Sequence, residues 1–166
     1  DHEFAVCFRR RFDGKDCRRG CSGFSGWGDF MARHKEIELQ RTGWKRSFDD
    51  LFSGLSFPPH ESIETLRNGV ETGRIGALGA FDFVHCIAAS LYRFEDGDLG
   101  TEMVILATAG RVPGGDLIAT VLPVLEVMAR AAGAGSVRFH TERDGLVKKM
   151  ASHGYGFSEV VLRKIL

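Results

Sequence analysis

The chain has 166 residues, 43% of them hydrophobic and 27% charged, which suits one globular domain able to bury a core without disulfides or metal. Lys+Arg and Asp+Glu both number 22, so net charge gives no warrant for nucleic acid, a membrane surface or acidic partners. No apolar run reaches the roughly 18 residues of a membrane-spanning helix, and the arginines of "DHEFAVCFRRRF" interrupt any signal-peptide pattern.

The N-terminal stretch is locally basic: residues 1–46 hold 11 Lys/Arg against 7 Asp/Glu, a net of +4, which leaves −4 for residues 47–166. Within it, Arg9, Arg10, Arg11, Lys15, Arg18 and Arg19 interleave with Phe8, Phe12, Phe24 and Trp27. Residues 7–27 therefore read either as a contact for nucleic acid or an acidic protein, or as a solvated basic arm. Cys7, Cys17, Cys21 and Cys86 follow no disulfide or zinc-knuckle spacing and read as reduced thiols of a cytoplasmic protein, with no metal expected. Glycines break up residues 12–28. Phe30, Ile37 and Trp44 share a seven-residue spacing that suggests a helix around 29–42.

The texture changes near residue 58, dividing the chain into a basic, Gly-rich extension (1–58) and a domain (59–166). Beyond Pro58 and Pro59, the positions of Ile63, Leu66 and Val70 predict a helix over 60–71. "FDFVHCIAASLYRF" (81–94) and "GTEMVILATAG" (100–110) are β-rich runs, joined by "EDGDL", whose Asp-Gly pair marks a hairpin. Leu117, Val121, Leu125 and Met128 give a helix over 115–132, with Pro123 inside it and Gly133 and Gly135 beyond its end. A strand at 136–141, a helix at 142–154 and a strand at 157–166 complete a β–β–α–β–α–β order. A strand–helix–strand crossover of this kind implies a parallel pair within a mixed sheet.

Two readings compete for the loop "RVPGGD" between the second strand and the long helix. Unpaired N–H groups at a helix N-terminus favour an anion, and glycine lets a phosphate approach the main chain. Alternatively, the stretch is a strand–helix turn that Asp116 caps with its own carboxylate. The loop lacks the Lys-Ser/Thr of a nucleotide-hydrolysing P-loop.

Residues 81–166, about half of the chain, resemble the C-terminal half of the GCN5-related N-acetyltransferase fold. "RVPGGD" and "TERDGLVKKMASHGYGFSEVVLRKIL" carry the likeness, together with the order of the elements. The resemblance implies an α/β fold with a mixed central sheet flanked by helices, and transfer of an acetyl group from acetyl-CoA, or a related acyl-CoA, to a primary amine. The amine is not identified: a small molecule, a protein lysine or a nucleobase all fit. Two strands would splay to admit the cofactor, held by Leu106, Ala107, Arg111, Val112, Gly114, Gly115 and Asp116. Glu102 is the candidate base, and His140 and Tyr155 are candidate proton donors, with His153 and Ser152 as further possibilities. The chain departs from the family's pattern twice. Asp116 stands where Gly or Ala is expected, and Met150 stands where a proton-donating tyrosine is expected. Those departures keep open a second reading, a catalytically inactive binding or assembly module.

Overall fold

A computed structural model describes residues 8–10, 37–57, 61–97, 100–141 and 143–156. The order is β1 (Phe8–Arg10), β2 (Ile37–Arg41), α1 (Arg46–Phe52), α2 (Ile63–Glu71), β3 (Gly76–Asp82), β4 (His85–Gly97), β5 (Gly100–Gly110), α3 (Leu117–Ala131), β6 (Ser136–Phe139) and α4 (Asp144–Ala151). The strands form one sheet in the order β1-β2-β3-β4-β5-β6. All neighbours are antiparallel except β5 and β6, which α3 joins as the expected parallel pair.

The sheet is covered on both faces. Phe48 and Phe52 of α1 and Leu66 of α2 pack with Ala77, Ala89, Leu91, Ala107 and Ala109 on one face. Val121, Val124, Leu125 and Ala129 of α3 pack with Leu39, Leu78, Ala80, Ala88, Tyr92 and Met103 on the other. Burial from both sides explains β3, "GALGAFD", five of whose residues in succession are buried. Its small residues are poor strand formers by propensity, but they fit the space. A Cβ on Gly76 would come within 2.3 Å of the Tyr92 ring.

Three expectations need correction. The boundary at 58/59 falls inside the domain, because β2 pairs with β3 from Ile37↔Asp82 to Arg41↔Leu78 and α1 supplies two fully buried phenylalanines. The C-terminal part of the helix proposed for 29–42 is strand β2, in which Ile37 and Leu39 point inward at period two. The strand proposed for 81–94 is interrupted by a two-residue hairpin at Phe83–Val84. There Phe83 has φ 59 and is 82% exposed. A phenylalanine in this left-handed region stores local strain.

The other elements sit close to their expected places. α2 starts one residue after Ser62, whose hydroxyl accepts from the Thr65 amide at 3.1 Å. α3 runs through Pro123 and ends before Gly133, which has φ +79. The strand expected at 157–166 and most of residues 7–27 lie outside the described residues.

Candidate functional site

β5 carries the site. Up to Ile105 it pairs with β6 through Glu102↔Ser136, Met103↔Val137, Val104↔Arg138 and Ile105↔Phe139. β6 ends at Phe139, while β5 continues from Leu106 to Gly110 with no partner on that side among the described residues. A bulge lies at the point where the pair opens. Against β4, Leu91 pairs with Ala107 and Tyr92 with Ile105, so Leu106 is the extra residue. Ala107 is buried, and Leu106 packs beside it toward α1 and α2. Pairing between the two strands thus stops at Ile105 and Phe139 among the described residues.

β5 feeds directly into the loop. Gly110 has φ +117, and a Cβ there would lie 2.4 Å from both the Ala88 Cα and the Ile87 carbonyl oxygen. Only glycine fits this close crossing. The Arg111 amide then donates to the Ile87 carbonyl at 3.0 Å, Val112 buries its side chain against α3, and the Gly115 amide closes a turn on the Val112 carbonyl at 3.2 Å. Gly114 takes φ +69 in open space. The amides of Gly114, Asp116 and Leu117 meet no acceptor among the described residues. They sit at the positive end of the α3 dipole.

Asp116 is the N-cap of α3. Its Oδ1 accepts from the Ile118 amide at 2.9 Å and from the Ala119 amide at 3.4 Å. Its Oδ2 lies 2.5 Å from Nζ of Lys149 on α4. The Lys149 ammonium, followed by those two amides, holds the Asp116 carboxyl below its ordinary value of 3.8 against the opposing effect of burial. The turn-capping reading of the loop therefore accounts for the Ile118 and Ala119 amides and leaves those of Gly114, Asp116 and Leu117 without an acceptor among the described residues. Lys149 was not anticipated from the sequence. A lysine in the last turn of a short helix is ordinary dipole chemistry and carries no sign of a partner on another helix.

The three candidate proton-handling residues do not converge. Glu102 is bound at the closed end of the β5–β6 pair. Its Oε1 accepts from the Ser136 hydroxyl at 3.0 Å, and its Oε2 lies 3.0 Å from Nε of Arg138. Arg138 also donates to Glu95 at 2.8 Å, so its cation offsets the repulsion between Glu95 and Glu102, which face each other across the β4–β5 ladder. Nine residues of strand separate Glu102 from Arg111, about 30 Å at the usual rise. In this structure the Glu102 carboxylate is engaged by Ser136 and Arg138. His140 is exposed and follows Phe139, the last paired residue of β6. Tyr155 packs edge-on against Phe139 with ring centroids 5.6 Å apart, and its hydroxyl donates to Glu126 of α3 at 3.2 Å. Met150 is buried at 3% exposure. Ser152 donates to the Lys149 carbonyl at 2.6 Å, and His153 is exposed.

Both tyrosines of the chain are held in their neutral form. Burial pushes the Tyr92 phenol up from 10.0, and burial followed by the Glu126 carboxylate does the same to Tyr155. In an ultraviolet titration the folded protein should therefore show less phenolate at pH 10 than the chain unfolded in denaturant. A raised folded pKa means that this contribution to stability is complete below pH 10 and is lost as pH rises above it. Folded and unfolded titration curves that coincide would contradict the packing described for these rings.

Among the described residues, no group of three or more His, Cys, Asp or Glu side chains could hold a metal, and no helix is long and apolar enough to cross a membrane. The Cys86 thiol donates to the Ala88 carbonyl at 3.2 Å, and burial raises its pKa.

No family model matches the chain, and no curated protein matches it. Solved structures do. An aminoglycoside acetyltransferase from an uncultured soil metagenomic sample superposes with TM-score 0.59 and 11% identity over 78% of this chain and 96% of its own. An acetyltransferase from Trypanosoma brucei gives 0.58 and 15% identity over 77% and 99%. Glucosamine-6-phosphate N-acetyltransferase from Arabidopsis thaliana gives 0.56 and 12% identity over 76% and 97%. Identity at this level speaks for fold alone. The chain shares the mixed-sheet α/β fold of these acetyltransferases.

Proposed function

We propose that the protein is an N-acyltransferase that uses acetyl-CoA, or a related acyl-CoA, to acylate a primary amine. The observation that carries this reading is the end of β5–β6 pairing at the Leu106 bulge, ahead of a glycine loop whose Gly114, Asp116 and Leu117 amides lack acceptors among the described residues at the start of α3.

The loop fits a diphosphate in part. Gly114 leaves open space where a side chain would stand, the Gly114, Asp116 and Leu117 amides lack acceptors among the described residues, and Arg111 is exposed beside them. These groups would hold the diphosphate, Arg111 by a charge-assisted bond. Leu106 and Ala107 would flank the pantetheine arm. The cofactor supplies the acyl group as a thioester, already activated. His140, at the open end of β6, is the group we assign to proton exchange at the mouth of the cleft. With Met150 unable to donate a proton, the departing thiolate would take its proton from His140 or from water.

The test is thermal unfolding with and without acetyl-CoA. At about ten times Kd the ligand stabilises by about 1.4 kcal/mol, which raises the Tm of a domain of this size by roughly 3–6 °C. Release of free thiol with a panel of amines then distinguishes an enzyme from a binding module, the reading that buried Met150 favours. A Tm that stays constant at millimolar acetyl-CoA would remove the acyl-CoA reading altogether.

A further inference from the structure

The contact between Asp116 and Lys149 joins the N-terminus of α3 to the last turn of α4, and it stands at the same loop as the unfilled amides. Taking the acyl-CoA reading as given, we infer that this ion pair is a clasp over the diphosphate site, and that loading the cofactor passes Lys149 from the Asp116 carboxylate to the diphosphate.

Charge supports it first. A carboxylate at the mouth of the loop repels a diphosphate, and only a cation beside it makes the approach neutral. Lys149 is that cation at 2.5 Å. Exposure supports it next. The two side chains are 37% and 40% exposed, so water screens the pair and it adds little net stability. Exchanging one anion for a stronger one is then a small step for a flexible ammonium with three rotatable donors. The third support is mechanical. α4 does not depend on the clasp for its position, because Met150 is buried, Tyr155 packs on Phe139, and the Tyr155 hydroxyl holds Glu126 of α3. The clasp can open while the helices stay where they are. Asp116 would keep its grip on the Ile118 and Ala119 amides throughout, so the cap survives.

The consequence is unusual for an ion pair, since its two members act on affinity in opposite directions. Asp116→Asn keeps a good helix cap, removes the repelling charge and releases Lys149. It should tighten binding of acetyl-CoA roughly three- to tenfold. Lys149→Met keeps the aliphatic stem and deletes a charge-assisted bond to phosphate, and it should weaken binding by about tenfold or more. Lys149→Arg should restore most of the loss. Calorimetric titration of all four full-length proteins with acetyl-CoA, and with pantetheine as a probe lacking the diphosphate, reads this directly. Opposite shifts with acetyl-CoA and none with pantetheine support the clasp. Shifts of the same sign, or none, in proteins that do bind acetyl-CoA overturn the clasp and leave the acyl-CoA reading standing. If no variant binds acetyl-CoA, both fall. Parallel unfolding curves identify any variant that is not folded, and Lys149→Gln then replaces Lys149→Met.

Discussion

Phe48→Ala should destabilise the protein by ~3–5 kcal/mol, measured as a fall in the urea midpoint. Domain stabilities are about 5–15 kcal/mol, so this one change removes a large part of the total. Phe48 has no exposed surface and meets Phe52 edge-on at 5.9 Å and Trp44 at 5.4 Å. Its neighbours are the inward residues of β3, β4 and β5. They are held in a continuous sheet and cannot collapse into the space an alanine would leave. Val84→Ala at the exposed hairpin, where the side chain is 83% accessible, should stay within ~0.5 kcal/mol. The same packing predicts that a chain beginning at residue 59 will not fold, because it lacks β2 on the edge of β3 and both buried phenylalanines of α1. A cooperative unfolding transition in such a fragment would show that residues 37–57 are dispensable.

Gly110→Val is the second large effect, at ~2–6 kcal/mol. One part is the left-handed conformation, which costs a β-branched residue about 1–3 kcal/mol at φ +117. The other is collision: the new Cβ would lie 2.4 Å from the Ala88 Cα and the Ile87 carbonyl, both backbone atoms with no rotamer to change. β5 would have to lift from β4, taking with it the 3.0 Å bond from the Arg111 amide to Ile87 that sets the direction of the loop. On the proposed acyl-CoA function, affinity for acetyl-CoA should fall along with stability. Gly114→Ala provides the contrast. Its φ is +69, but nothing lies within 4 Å of the added Cβ, so only the conformational cost of about 1–2 kcal/mol remains. A Gly110→Val protein as stable as the unmodified one would mean that β4 and β5 do not cross as described.

From α2 to α4 the described elements other than β3 were legible because each carries its own local signal. α3 has an apolar face at helical spacing, α2 has Ser62 to start it, and Asp96-Gly97 turns β4 into β5. β3 gave no such signal. Its alanines and glycines are small because helices press on both faces of the sheet, and that is a fact about packing which a local pattern does not contain. α1 failed for a related reason: Phe48 and Phe52 are four apart, but the helix is too short for a repeated stripe. At the site, the loop residues could be placed from glycines at a strand–helix junction. The role suggested for Glu102 could not be judged, because Arg138 and Ser136, which occupy it, belong to a strand more than thirty positions later. Lys149 escaped notice on the same ground.

The extra residue at Leu106 has one more effect. Before it, Met103 and Ile105 look toward α3; after it, Ala107 and Ala109 look toward α1 and α2. The odd-numbered positions change sides, and Thr108 comes to share a hydroxyl contact with buried Ser90 at 2.9 Å. Without that added residue the strand would arrive at its end half a pleat out of phase, with methyl groups turned to α3 and the glycine turned away from Ala88. The loop owes its aim to a miscount in the ladder upstream.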